Sequence, residues 1–183
     1  GTLLIEAAMM ATDMAPGLLR QRFGLTSLKL HDEPLWQSLL AEARVRAKRG
    51  LNRADSLKFL GYDCDYRVLN RARDNAKAAG FSELIRFEEQ DAAHLRNPWP
   101  GVRGFVVTNP PYGERLGDFP ELLKLYQELG QALRQGFQGW RVSVLSASPD
   151  LLSCLRLRAE KQYRLFNGAL ECQFRNYQIA EDS

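Results

Sequence analysis

One run limits what this chain can fold into more than any other: Phe105-Val106-Val107-Thr108-Asn109-Pro110-Pro111-Tyr112-Gly113-Glu114-Arg115. An apolar, β-branched stretch that ends in Asn-Pro-Pro reads as a buried strand stopped abruptly, because neither proline can donate to a sheet ladder. The prolines also fix the backbone, so the Asn109 side chain and the Pro110 carbonyl are presented rigidly beyond the strand end. Tyr112 follows as a stacking surface. Two hydrogen-bond acceptors and an aromatic plane at a strand end can grip a planar group that bears an NH2. A rigid surface turn is the alternative reading of the same residues.

At 183 residues, 45% hydrophobic and 26% charged, the chain is long enough for one soluble α/β domain with its own core. It holds no apolar run of membrane-spanning length, and no secretory signal opens it. Cys64, Cys154 and Cys172 are odd in number, widely spaced and outside any CxxC or Cys/His pattern, which suits reduced thiols in a cytoplasmic protein and no metal site. His31 and His94 are isolated and read as structural or solvent-facing. A net charge of +3 does not by itself announce nucleic acid. Arg20 and Arg22, then Arg44, Arg46, Lys48, Arg49 and Arg53, are nevertheless gathered closely. They could touch phosphates, or be the solvated end of a helix where the dipole favours cations.

Periodicity and breakers give the order of elements. Thr2 to Thr12 is a helix apolar on most sides, expected to be buried. Residues 13–33 are irregular, with Pro16, Gly17 and Gly24 as breakers. Pro34 opens a helix carrying Trp36, Leu39, Leu40 and Ala43, which runs to Gly50. Leu57 to Tyr62 is a strand. Asp65 caps a helix with the stripe Val68, Leu69, Ala72, Ala76 and Ala79, ended by Gly80. Leu84 to Glu89 and Phe105 to Thr108 are strands. Asp118 and Pro120 start a helix carrying Leu122, Leu123, Tyr126, Leu129 and Leu133. Val142 to Ser146 is a strand, Pro149 opens a short helix, and Glu160 to Ala180 is a hairpin turning at Asn167-Gly168. Strands alternating with helices and closing on a hairpin predict a doubly wound, Rossmann-like α/β sheet with an antiparallel edge.

Such sheets bind ligands beyond the C-terminal ends of their strands. Four stretches fall at candidate positions of that kind. Gly1-Thr2 runs into a helix start, where backbone N–H groups are free and a ligand can approach closely. Gly61-Tyr62-Asp63-Cys64-Asp65 places an acidic side chain where a ribose diol needs an acceptor. Asp63 is assigned that role and Asp65 the helix cap, although both could be turn residues. Gln90-Asp91-Ala92 offers a carboxylate for an adenine amine and a backbone N–H for the ring, or else an ordinary Asp turn. The fourth is Asn109 to Tyr112, with Asn109 assigned to the cofactor side as well as to the target.

Taken together, these stretches carry a family resemblance. Asn-Pro-Pro-Tyr resembles the signature of enzymes that methylate exocyclic or amide nitrogens with S-adenosylmethionine. Gly1-Thr2-Leu3-Leu4-Ile5-Glu6-Ala7-Ala8 is similar to the tail of a methyltransferase first motif. Gly61 to Asp65, with Asn75-Ala76 and Ala79-Gly80, resembles the second motif of THUMP-associated RNA guanine-N2 methyltransferases. Asn109 to Leu116, Ala15-Pro16-Gly17-Leu18 and the stretch from Ser146 to Leu155 look like the guanine-N2 methylating domain of bacterial bifunctional large-subunit rRNA methyltransferases. That resemblance covers nearly all of residues 1–183.

It implies a class I methyltransferase domain acting on a guanine exocyclic amine in 23S rRNA or a large-subunit precursor. In that family a THUMP domain precedes the unit and a guanine-N7 methyltransferase domain follows it. The first strand and the Asp-Pro-x-Cys-Gly-Ser portion of the first motif would lie just before Gly1, so the chain is expected to be an N-terminally truncated fragment. The missing strand would expose the edges of Leu57 to Tyr62 and Phe105 to Thr108. An aryl NH2 is a poor nucleophile because its lone pair is delocalised. Acceptors on both its hydrogens, Asn109 Oδ1 and the Pro110 carbonyl, would favour a more tetrahedral nitrogen, with Tyr112 stacked on the extruded base. Neither a metal nor a strong general base is needed. Methylation of adenine N6 or of a protein glutamine amide would use the same acceptors, and a non-catalytic RNA-binding module is the reading from another class.

Overall fold

The computed structural model describes residues 1–113 and 119–181, so Glu114, Arg115 and Leu116 of the motif, and Asp118 at the expected helix start, lie outside the described residues. The chain divides into two compact units, Gly1–Glu89 and Gln90–Ser183.

In the first unit, β1 (Phe59–Asp63) and β2 (Ile85–Glu89) pair in parallel, from Phe59 opposite Ile85 to Asp63 opposite Glu89. A parallel pair needs a crossover, and α3 (Tyr66–Ala78) provides it. Earlier in this unit come α1 (Thr2–Ala11) and α2 (Glu33–Leu51), with short 3-10 turns at Pro16–Leu19 and Gly24–Ser27. Asp65 caps α3 as expected, accepting from Arg67 N–H at 2.8 Å. Leu69, Ala72 and Ala76 are the face it buries, and Gly80 leaves it with φ +80°. These residues meet Ile5, Ala8, Met9, Phe81, Ile85 and Phe87 in one core.

Two helices differ from expectation. α1 is buried along one face only: Ile5, Ala8 and Met9 are inside, whereas Leu3 is 52% and Met10 82% exposed. Its neighbours within the unit, β1, β2 and α3, cover that one face. α2 starts at Glu33, just before Pro34, with Asp32 Oδ1 accepting from Leu35 N–H at 2.9 Å, and of its predicted stripe Trp36, Leu40 and Ala43 are no more than half-buried. Only Ala47 and Gly50 are buried, and Leu39 is 51% exposed. Apolar residues therefore occur on more than one side of this helix, which a single-stripe reading cannot resolve.

In the second unit, β3 (Phe105–Thr108) pairs in parallel with β4 (Arg141–Ser146), joined through α4 (Phe119–Gly136). α5 (Pro149–Cys154) follows, then the hairpin β5 (Ala159–Asn167) and β6 (Leu170–Gln178). β6 is antiparallel to β4, giving the order β3-β4-β6-β5. Tyr126, Leu129 and Leu133 of α4 pack with Val142, Val144, Leu151, Leu152, Leu155 and Tyr177.

The doubly wound α/β pattern with an antiparallel hairpin is thus present, but the described strands form two sheets rather than one. β1 has only β2 beside it, and β3 only β4, among the described residues. This corrects the expectation of a buried strand at 105–108: Phe105 is 57% exposed and Val106 to Thr108 are half-buried. The hairpin turn is also shifted by one residue. Asn167 pairs with Leu170, so Gly168-Ala169 is the loop, with φ +62° at Gly168. A two-residue turn with glycine first needs the positive φ at that position alone, which leaves Asn167 at the strand end. No helix among the described residues is long and apolar enough to cross a membrane.

Candidate active site

β3 delivers the motif. Asn109, the first residue beyond the strand, is exposed, and Pro110 behind it is buried. Tyr112 is half-buried against the core formed by α4, α5, β4 and β6. Its hydroxyl accepts a hydrogen bond from Asn167 Nδ2 at 2.8 Å. The strand register explains how a hairpin 55 residues away reaches it. Pairing of β4 with β6 stops at Ser146 opposite Gln173, while β5 and β6 stay paired through Cys172, Glu171 and Leu170. Three further residues carry the hairpin tip about 10 Å past the C-terminal end of β4. Reading the sequence cast Asn167 only as a turn residue, and nothing local in the chain links positions 112 and 167.

The stretch from Ser146 to Leu155 has a structural task. Tyr126 Oη donates to Ser146 Oγ at 3.0 Å, and the same oxygen accepts from Ser148 N–H at 3.2 Å. Ser148 Oγ in turn accepts from Leu151 N–H at 3.3 Å, capping α5. Serines at these two positions lock α4 and α5 onto the end of β4. Burial pushes the Tyr126 phenol up to about 12, against the opposing effect of the Ser146 hydrogen bond.

Asp91 is exposed, and its Oδ1 accepts from Ala93 N–H at 2.9 Å, capping the 3-10 turn Ala92–His94. This is the ordinary Asp turn named as the alternative, and it leaves Oδ2 unengaged among the described residues. Ala92 is half-buried on the same core as Tyr112.

In the first unit, Asp63 is half-buried at the end of β1, and its Oδ1 accepts from Asp65 N–H at 2.9 Å. Its second oxygen makes no hydrogen bond within the described residues. Asp65 is fully occupied: besides the α3 cap it takes two bonds of 3.1 Å from the Arg67 guanidinium, which hold its carboxyl below the usual range. Gly1 and Thr2 are exposed at the start of α1. The Gly1 carbonyl accepts from Leu4 and Ile5 N–H at 3.1 Å each, while the Thr2 and Leu3 N–H groups precede the first helical bond.

Two close approaches set this corner. A Cβ on Gly1 would lie 2.8 Å from Ala72 Cβ and 3.3 Å from the Phe87 ring. One on Gly61 would lie 2.6 Å from Leu4 Cδ1 and 2.8 Å from Phe87 Cδ1. The start of α1 and the backbone two residues before Asp63 therefore rest on the same phenyl ring. Within the first unit, Gly1 lies at the Gly61–Phe87 level of the β1–β2 pair, and Asp63 follows two residues further along β1. Within the second, Ala92 and Tyr112 share one core and Asn109-Pro110 lead into it.

The basic cluster is less free than its spacing suggested. Arg46 is held by Asp13 through bonds of 2.9 and 2.7 Å, and Arg53 Nε donates to the Arg49 carbonyl at 3.3 Å. His31 Nε2 lies 2.7 Å from Glu33 Oε2. Cys64, Cys154 and Cys172 are free thiols.

Comparison with known proteins adds to this geometry. Residues 1–176 match the family described as RMKL-like, methyltransferase domain. The chain is 61% identical to the ribosomal RNA large subunit methyltransferase K/L of Aeromonas salmonicida, covering all of this chain and 27% of that protein. Among solved structures, a possible methylase from Clostridium difficile 630 superposes with a TM-score of 0.86 at 34% identity, covering all of this chain and 46% of that one. SMU.472 in complex with SAH gives 0.85 at 27% identity, with the same coverage. The chain thus spans about a quarter of the length of the curated relatives it matches.

Proposed function

The chain belongs to the RMKL-like methyltransferase domain family, and from that premise we propose that it transfers a methyl group from S-adenosylmethionine to the exocyclic N2 amine of a guanine in 23S rRNA. The observation that carries this reading is the arrangement after β3: exposed Asn109, buried Pro110, and a Tyr112 ring held from behind. The relative from Aeromonas salmonicida, named for large-subunit rRNA methylation, supports the choice of substrate. The SAH complex of SMU.472 supports the cofactor.

The donor set suits that cofactor. Asp63 Oδ2 is an unengaged carboxylate oxygen for a ribose diol, and its partner Oδ1 is already anchored. The first N–H groups of α1, at Thr2 and Leu3, suit the carboxylate of the amino-acid portion. Asp91 Oδ2 and the Ala92 N–H suit the adenine edge. When bound, S-adenosylmethionine supplies an electrophilic sulfonium methyl group.

The protein's own residues do the rest. Asn109 Oδ1 and the Pro110 carbonyl accept from the two hydrogens of the target amine and turn its lone pair out of the ring plane. The Tyr112 ring stacks on the base and sets its plane. The amine proton becomes acidic once the nitrogen is methylated, so it leaves to solvent without a strong base. The same reading puts the protein in the cytoplasm, with 23S rRNA or a precursor particle as partner. It also expects a THUMP domain and a second methyltransferase domain in the parent protein.

Incubation of the protein at its natural length with labelled S-adenosylmethionine and unmodified 23S rRNA tests this. Nucleoside digestion should yield N2-methylguanosine. Label in N6-methyladenosine or in a protein band would replace the proposed substrate.

A further inference from the structure

We infer that Asn167 is a positioning residue for the methylation target, fixing the Tyr112 ring on which the substrate base stacks and making the β5–β6 hairpin tip a wall of that site. The inference rests on the methyltransferase reading above. It starts from the 2.8 Å bond that Asn167 Nδ2 donates to Tyr112 Oη. It is supported independently by the register, which extends the hairpin past the end of β4 to the side where β3 also ends.

A stacking ring gains little if it must be immobilised on each encounter, because ordering a side chain opposes binding. Two contacts immobilise Tyr112 beforehand. Its side chain packs on the core, and its hydroxyl is tied to a strand terminus. The tie depends on the one-residue shift of the turn. With Gly168-Ala169 as the loop, Asn167 is the last paired residue of β5, so its amide is held by the sheet rather than carried on a turn.

The test is a double-mutant cycle in the protein at its natural length, on whichever methyl acceptor the labelling experiment identifies. Asn167→Ala should raise KM for that acceptor about fivefold, the usual consequence of losing one net hydrogen bond. The dissociation constant for S-adenosylmethionine should stay within about twofold, since the tie touches only the target side. Tyr112→Phe should have the same effect, and the double variant should be no worse than either single one. Penalties that multiply to about 25-fold, or a KM unchanged by Asn167→Ala, would overturn the inference.

A second measurement needs no activity. Amide hydrogen exchange at residues 166–170 should quicken in Tyr112→Phe while the melting temperature holds, because only the tie between tip and motif is cut. Unchanged exchange there would mean that the tie does not operate. Because Tyr112→Phe leaves strand pairing intact, this readout survives even if Asn167→Ala folds poorly. Failure of rRNA methylation alone would count against the substrate proposed above and leave both measurements to decide the role of Asn167.

Discussion

The Asp63 carboxylate accepts a hydrogen bond from the Asp65 backbone N–H at 2.9 Å, so two acidic residues two positions apart have separate tasks. Asp65 spends both oxygens on α3 and Arg67, whereas Asp63 keeps one free among the described residues. Asp63→Ala should therefore raise the dissociation constant for S-adenosylmethionine, because a ribose diol loses its charged acceptor. Asp65→Ala should lower the melting temperature and leave that constant nearly unchanged. Calorimetric titration of both variants checks the division. Loss of binding in Asp65→Ala with none in Asp63→Ala would reverse the two roles.

Asn109→Ala bears on the chemistry itself. The side chain is exposed beyond β3 and holds no structural bond among the described residues, so its removal should not unfold the second unit. Its value lies in accepting from the target amine as positive charge develops. Turnover should fall by about 10²–10³, the usual cost of deleting one contact of this type. Cofactor affinity should change far less. Single-turnover methylation at saturating cofactor measures this, and an undiminished rate would remove Asn109 from the mechanism.

Local chemistry made much of this molecule legible in the sequence. Asn109-Pro110-Pro111 ends β3 at Thr108 as expected, because prolines cannot extend a ladder. Asp65 caps α3 as expected, because a short polar side chain can reach the first free N–H groups, and Pro149 opens α5. What stayed hidden depends on distant partners. Leu39 looked like a core residue, yet which side of α2 is covered is decided by the rest of the unit. Asn167-Gly168 announced a turn, but a shift of one residue placed Asn167 against Tyr112. That pairing follows from the register of β6 on β4, which no window of sequence encodes.

Tyr126 gives the second unit a dependence on alkaline pH. Burial raises the phenol from its ordinary value of 10.0 to about 12 in the folded protein. The folded state thus holds this proton more tightly than the unfolded chain does. The corresponding stability is fully present below pH about 10 and is lost as pH rises toward about 12. A difference of that size between the folded and unfolded states corresponds to at most about 2–3 kcal/mol. Urea midpoints measured from about pH 9 to about pH 11.5 should fall in the wild type. They should fall less steeply in Tyr126→Phe, which cannot ionise there. Equal slopes would show that the phenol is not the titrating group.

Tyr177 presents the opposite case from Tyr126. It is buried in the same core, but its hydroxyl has no hydrogen-bond partner among the described residues. Arg175, two residues back on the same face of β6, is turned to Gln173 Oε1 through bonds of 3.0 and 2.7 Å. A buried, unpaired hydroxyl costs about 1–3 kcal/mol of desolvation. Burial also pushes this phenol up, since its charged form is the harder one to accommodate there, and the nearby Arg175 guanidinium, outside strict hydrogen-bond geometry, works against that shift. Tyr177→Phe keeps the ring that packs on Val142 and its neighbours and removes only the unpaired oxygen. The variant should be at least as stable as the wild type, by up to about 1 kcal/mol, with methyl transfer unaffected. Chemical denaturation provides the measurement. A loss of about 1 kcal/mol or more would mean that the Tyr177 hydroxyl is bonded in solution, with Arg175 the nearest candidate.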